Sequence, residues 1–352
     1  MERKMATVEV IDSLSPIEGA DRIELAKVRG WNVVVQKGLY EVGDPVVYFE
    51  IDTMLPQDDK RFESFMTRGV RTDSMGRTGH VVKTIRLKGQ YSQGLVMPLQ
   101  EFSSDLSTTL TGQDVSNDVG VWKWEPPIPA SLRGEIRGKL PGWIRRTDAE
   151  RIQNFEEYLP LNPDEYYCTE KLDGTSVSFS LNDDDFHVCS RNLDLKETEG
   201  NTYWEIAHKY RMYDVLIGIQ KEWEEAGSKP NVVTIQGEIY GEGVNGNRLA
   251  LKGRHFAAFH IDLIGDECTS WGDYDPYGSL KSWGMFPVVP LLDITAPQSV
   301  SEALEVVDGI KSTIAPSRLA EGVVWRRIDG QDIIPGVRYI KAISNKYLLK
   351  EK

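Results

Sequence analysis

The sequence predicts an α+β protein rich in antiparallel strands, with a small β-barrel at the N-terminus and a larger mixed domain after it. Short apolar and β-branched runs, separated by Gly- or Asp-bearing turns, fill the first hundred or so residues. Beyond Pro163 strand-like runs continue, interrupted by one long segment of helical periodicity and a shorter one. Strands that dominate, with few and separated helices, indicate α+β rather than alternating α/β organisation.

The N-terminal strands are expected at Ala6–Ile11, Ile23–Val28, Trp31–Val35, Pro45–Ile51, Val81–Leu87 and Gly94–Met97. About five or six short strands in this length fit an OB-type barrel, a common platform for single-stranded nucleic acid. Lys37, Arg86 and Lys88 fall on loop or strand positions where they would meet such a ligand. From Glu101 to Pro160 the periodicity fades into polar, turn-rich and proline-broken sequence. Within it, Ser131–Thr147 carries Arg133, Arg137, Lys139, Arg145 and Arg146 against Glu135 alone, and reads equally as a solvated linker or a nucleic-acid contact. The chain therefore divides into an OB-like domain expected to bind nucleic acid (1–125), a basic linker (126–160) and a larger mixed domain (161–352).

In the last of these, strands are expected at Tyr166–Glu170, Ser176–Leu181, Phe186–Ser190, Val232–Tyr240, Phe256–Leu263, Gly322–Ile328 and Val337–Ala342. A single amphipathic helix is expected over Thr202–Ala226, with Ile206, Tyr210, Tyr213, Ile217 and Trp223 at helical spacing. A second begins near Ser299, where Ser299 and Glu302 have capping-box spacing.

Bulk properties narrow the function classes. With 352 residues, 40% hydrophobic and 27% charged, this is an ordinary globular composition for two domains. No run is long and apolar enough to span a bilayer, and MERKMATVEV has no signal-peptide core. Three widely spaced cysteines (Cys168, Cys189, Cys268) make neither a disulfide framework nor a zinc set, so a cytoplasmic, reducing location is expected; a monomer is the separate expectation for its assembly. The formal charge of −13 argues against tight non-specific binding to nucleic acid but says nothing about local basic clusters.

The chemistry centres on Thr169-Glu170-Lys171-Leu172-Asp173-Gly174, a lysine at a strand end before an Asp–Gly turn. A lysine amine attacks only when deprotonated, and its ordinary pKa is about 10.4. Partial burial and neighbouring cations are expected to lower it. Alone, K-x-D-G arises by chance in on the order of one chain in ten, and without other support a hairpin turn with an exposed lysine is the better explanation. Gly241-Glu242-Gly243-Val244-Asn245-Gly246 spells G-x-G-x-x-G, yet a strand rather than a helix follows, so it is read as a loop near the nucleotide or an RNA end. The five histidines are scattered and read as structural.

After KLDG come GEIYG (Gly237–Gly241), AFHIDL (Ala258–Leu263), EGVVWR (Glu321–Arg326) and YIKAISNKYL (Tyr339–Leu348), in that order. This series resembles the ordered motifs of covalent nucleotidyltransferases: ATP-dependent RNA ligases, DNA ligases and mRNA capping enzymes. The resemblance implies an ATP-grasp-like ligase domain in which Lys171 takes AMP from ATP. It further implies that Glu238 binds the ribose, Phe259 stacks on adenine, and Glu321 engages Mg²⁺ or Mn²⁺. Lys341 and Lys346 would contact the α-phosphate, while Glu170 and Arg191 join the nucleotide-binding set. The lysines of the last motif are five apart here, whereas some relatives have K-x-K, which leaves Lys346 less secure than Lys341. An OB domain placed before the ligase domain, with no room for one after Lys346, resembles the Deinococcus-type branch, as does the opening stretch through Leu55-Pro56. That branch implies sealing of nicked, RNA-containing duplexes. A DNA ligase of unusual domain order, a guanylyltransferase and a non-catalytic RNA-binding protein are the rival readings.

Overall fold

The computed structural model describes residues 3–102, 106, 109–127, 134–227, 230–265 and 284–350; Arg133 and Cys268 lie outside them. Contacts divide the chain into two units: Met1–Ile128 with Ile152–Tyr158 and Leu348–Glu351, and Pro129–Arg151 with Leu159–Tyr347. No helix among the described residues is long and apolar enough to cross a membrane.

The first unit is the OB fold. Its strands are β1 (Ala6–Val10), β2 (Ser13–Pro16), β3 (Ile23–Val28), β4 (Trp31–Gln36), β5 (Pro45–Phe49), β6 (Thr53–Pro56), β7 (Arg71–Thr72), β8 (Thr78–Val81), β9 (Ile85–Leu87), β10 (Gln90–Ser92), β11 (Leu95–Pro98) and β12 (Trp122–Lys123). They form sheets ordered β1-β5-β11, β2-β3-β4 and β12-β6-β8-β7, plus the hairpin β9-β10. Alternate side chains of a strand point to opposite faces. In β5 that alternation feeds two cores: Val47 and Phe49 join Val8, Leu55 and Phe62, while Val46 and Tyr48 join Val28, Trp31 and Val33. The run Val81–Leu87, expected as one strand, is two. Val81 still pairs with Met54, but Ile85–Leu87 pairs only with Gln90–Ser92 across a turn where Lys88 has φ 46°.

In the second unit the strands are β13 (Ile136–Lys139), β14 (Glu150–Arg151), β15 (Tyr166–Lys171), β16 (Thr175–Asn182), β17 (Asp185–Ser190), β18 (Leu193–Leu195), β19 (Pro230–Gly241), β20 (Arg254–Gly265), β21 (Leu291–Leu292), β22 (Gly322–Arg327) and β23 (Tyr339–Ile343). They make a six-stranded sheet, β13-β18-β17-β16-β19-β20, and a five-stranded one, β14-β23-β22-β15-β21. All pairings are antiparallel except β14 with β23. The stretch expected as linker thus contributes an edge strand, β13, and Arg137 ties that strand to Asp185 of β17. One face of the six-stranded sheet is apolar and packs on helices: Val177, Phe179, Ile235 and Phe256 meet Ile206, Met212, Leu216 and Ile219. Its other face is polar yet buried, with Ser178, Ser180, Thr234, Gln236, His260 and Asp262 all under 9% exposed.

The expected single helix over Thr202–Ala226 is two helices, Thr202–Lys209 and Met212–Glu225. Arg211 between them adopts φ 52°, a left-handed conformation that stops an α-helix. The break resets the buried stripe to Met212, Val215, Leu216 and Ile219 and leaves Tyr213 45% exposed. At Val300–Val307 the Ser299 side chain accepts from the Glu302 amide at 3.1 Å, and Glu302 reaches back to the Gln298 amide at 3.0 Å, which is capping from both directions.

Candidate active site

Lys171 ends β15 in the five-stranded sheet, and Thr175 begins β16 in the six-stranded sheet, so Leu172-Asp173-Gly174 is the crossing between them. The crossing is tight. A Cβ added at Gly174 would sit 2.2 Å from the Ile239 carbonyl oxygen and 2.8 Å from Glu238 Cγ, so glycine is what lets the turn lie against the Glu238 strand. Asp173 is held from two sides. Tyr347 donates its hydroxyl to Asp173 Oδ2, and Asn245 Nδ2 donates to Asp173 Oδ1 at 3.3 Å and also to the Gly174 carbonyl. Arg248 in turn stacks on the Tyr347 ring at 3.4 Å and donates to its carbonyl at 2.6 Å. The loop that spells G-x-G-x-x-G therefore serves as a clamp on the lysine turn, leading from one strand into the next with no helix.

Lys171 Nζ donates to Glu321 Oε2 at 2.7 Å. This corrects the expected direction of its pKa. Burial does push the ammonium down, but the carboxylates of Glu321, Glu238 and Asp173 outweigh it and hold the pKa above the ordinary lysine value. The expected neighbouring cations are not what surrounds it. Glu238 shows the other side of this cluster. Burial first, then the like charges of Glu321 and Asp173, push its carboxyl up to about 8, against the opposing pull of Lys171 and Arg191. Acidic groups crowded around one lysine, with too little positive charge to satisfy them, suit a divalent cation. Among the described residues no three His, Cys, Asp or Glu side chains form a metal cage by themselves, so phosphate and water oxygens would have to complete the coordination.

The register places Lys341. Lys171 pairs with Gly322, and Val324, two residues along, pairs with Lys341. Residues two apart share a face, so Lys341 and Lys171 project from the same side of the sheet, about 12 Å apart at Cα by ordinary strand spacings. Gly322 lies between the two lysine-bearing strands, and a Cβ there would meet the Ala342 carbonyl oxygen at 2.1 Å. Lys346 is elsewhere: its Nζ lies 3.6 Å from Asp308 Oδ2, and its amide donates to the same carboxylate. Five residues beyond Lys341, the chain has left β23 for a helical turn, Asn345–Leu348, and no longer follows the strand face.

Glu170, next to Lys171 on the strand, points to the opposite face, where its Oε2 accepts from the Thr313 amide at 2.8 Å. Arg191 is paired with Asp148 at 2.8 Å, though its charge is felt at Glu238. Phe259 is the residue left over where the β19–β20 register shifts between Gln236 and Gly237, a bulge that re-aims a side chain. It packs with Leu172, Tyr240 and Val289, beside the nucleophile turn. Sequence reasoning missed Asp173, Asn245, Arg248 and Tyr347 as site residues. Asp173 and Tyr347 lie inside recognised motifs and Asn245 inside the glycine loop, so position was a usable signal for those three; Arg248 carried none.

An OB-fold domain profile matches residues 5–99, and an RNA ligase profile matches residues 164–343. No curated protein sequence matches the chain. Among solved structures, Naegleria gruberi RNA ligase with PPi is 35% identical, with a TM-score of 0.83, covering 99% of this chain and 98% of that one. Mutants of the same ligase with ATP and Mn and with AMP and Mn are likewise 35% identical, with TM-scores of 0.84 and 99% coverage of both chains. With a shared layout over nearly the whole length and a family match across the lysine site, the chain belongs to the RNA ligase family.

Proposed function

We propose that the chain is an ATP-dependent RNA ligase of the Deinococcus type, which seals 3′-hydroxyl/5′-phosphate nicks through a lysyl-N-adenylate on Lys171. The observation that carries this reading is the convergence of Glu321, Glu238 and Asp173 on the Lys171 amine. Deprotonated Nζ attacks the α-phosphorus of ATP in line, a P–N bond forms, and pyrophosphate leaves. AMP then passes to the 5′-phosphate of the break, and the 3′-hydroxyl attacks that activated phosphate and releases AMP. Glu321 would hold Mg²⁺ or Mn²⁺, which would supply positive charge to the triphosphate and to the carboxylates that otherwise keep Lys171 protonated. Lys341 neutralises charge developing at the α-phosphate from the same sheet face. Glu238 receives the ribose, Phe259 stacks on adenine, and Arg191 contributes once free of Asp148. Glu170 acts at one remove by anchoring Thr313, and Lys346 reaches phosphate only by leaving Asp308.

Incubation with radiolabelled ATP, Mn²⁺ and nicked duplexes bearing RNA or DNA at the 3′-hydroxyl tests this. A labelled protein and preferential sealing of the RNA nick are expected. Equal sealing of both would make it a DNA ligase of unusual layout, and RNA binding without any label would make it a non-catalytic binder.

A further inference from the structure

The sheet β12-β6-β8-β7 lies outside the two three-stranded sheets of the barrel and is built from the segment between β5 and β11 together with β12. Two guanidinium–indole stacks stand on it. Arg77 Cζ is 3.8 Å from the centroid of the Trp122 ring, and Arg71 Cζ is 5.2 Å from that of Trp124. Each indole is fixed by its own N–H, Trp122 donating to Asp73 Oδ2 at 3.0 Å and Trp124 to the Thr72 carbonyl at 3.1 Å. Asp73 is buried and already engaged: it also accepts from Arg77 Nε at 2.7 Å and from the amides of Met75 and Arg77. Its charge is spent inside the sheet and does not offset the remaining cations.

Those cations stand out in a chain of net charge −13. Arg71 is exposed, and neither it nor Lys83 forms an ion pair among the described residues. The two are near enough for the Arg71 charge, after desolvation, to weigh on the Lys83 ammonium. Met75 beside them is 76% exposed. Arg71 and Lys350 repel the Lys83 ammonium and Asp52 offsets only part of that repulsion, so a polyanion relieves the remainder. Guanidinium groups fit phosphate oxygens in pairs, and fixed indole faces accept bases of any sequence.

We propose that this arginine–tryptophan sheet is the docking surface for the RNA strand flanking the break, with Arg71, Arg77 and Lys83 on its phosphates and the Trp122 and Trp124 rings against bases unstacked at the nick. The inference rests on the RNA-ligase reading and names the surface that would hold its substrate.

The test uses the full chain, with the double variant Arg71→Ala/Lys83→Ala and, separately, Trp124→Ala. Readouts are AMP labelling from ATP, thermal melting, and fluorescence anisotropy with a nicked RNA duplex from low to high salt. For the double variant, labelling and melting temperature stay at wild-type values, affinity falls about tenfold, and the slope of log K against log salt shallows by about 2, one unit per lost phosphate contact. Trp124→Ala weakens binding with the salt slope unchanged. Wild-type affinity and slope in the double variant overturn the proposal, whatever Trp124→Ala does to folding. Failure of the wild-type chain to label with AMP would count against the ligase reading alone, because RNA binding is measured separately.

Discussion

The lysine site and the barrel's added sheet handle charge in opposite ways. Around Lys171, carboxylates converge on a single amine and keep it protonated; on the added sheet, guanidiniums lie on indoles with their one close carboxylate buried and used up. The first arrangement is short of positive charge and suits a divalent cation. The second has positive charge to spare and suits direct contact with phosphates. A net charge of −13 averages over both and so describes neither.

The sharpest way to break this contrast is at the nucleophile. Lys171→Ala is expected to abolish AMP labelling, a loss of at least about 1,000-fold, and Lys171→Arg to do the same because a guanidinium stays protonated. Labelling that survives either change would move the chemistry away from this amine. Next in size is the turn. Gly174→Ala puts a methyl group against the Ile239 carbonyl and Glu238, and the misplacement it forces on Lys171 is expected to slow labelling about 100-fold while nicked-RNA binding stays within twofold. Equal labelling rates would mean that the close approach to Glu238 is incidental.

Smallest is a stability effect with a definite sign. Glu238 titrates near 8 in the folded chain, above the ordinary carboxylate range, so folding favours its protonated form. Stability from this group is complete below about 4.5 and drains away as pH rises through about 8. Glu238→Gln removes that dependence, so the variant should melt about 3 °C above wild type at pH 9 and lose the advantage by pH 5. Parallel melting curves across that range would show that the carboxylate is not held under electrostatic stress.

Much of this was legible from residue order. The strands expected in both units lie within a few residues of observed ones, apart from the split of Val81–Leu87, because β-branched runs bounded by Gly and Asp turns reflect local preference; short strands such as β2, β6 and β21 were not anticipated. The roles assigned to Lys171, Glu238 and Glu321 came from motif order, and those three side chains do converge. The helix break at Arg211 was not legible, since nothing local marks a left-handed arginine; packing on both sides of it decides. Nor was β13, whose basic residues read equally as solvated linker or nucleic-acid contact until Asp185 and Asp194 of the neighbouring strands are seen beside Arg137.

The order of the motifs, through their resemblance to those of covalent nucleotidyltransferases, is what grouped a lysine, two glutamates and a second lysine in the sequence. The protonation of that lysine was decided only in three dimensions. Its pKa depends on which charges lie nearby, and the fold puts Glu321 in hydrogen-bond contact and Asp173 and Glu238 within Coulombic reach while sending Lys346 to Asp308. Sequence order records which groups are available; Coulomb energy depends on their separation, and separation exists only once the two sheets have packed.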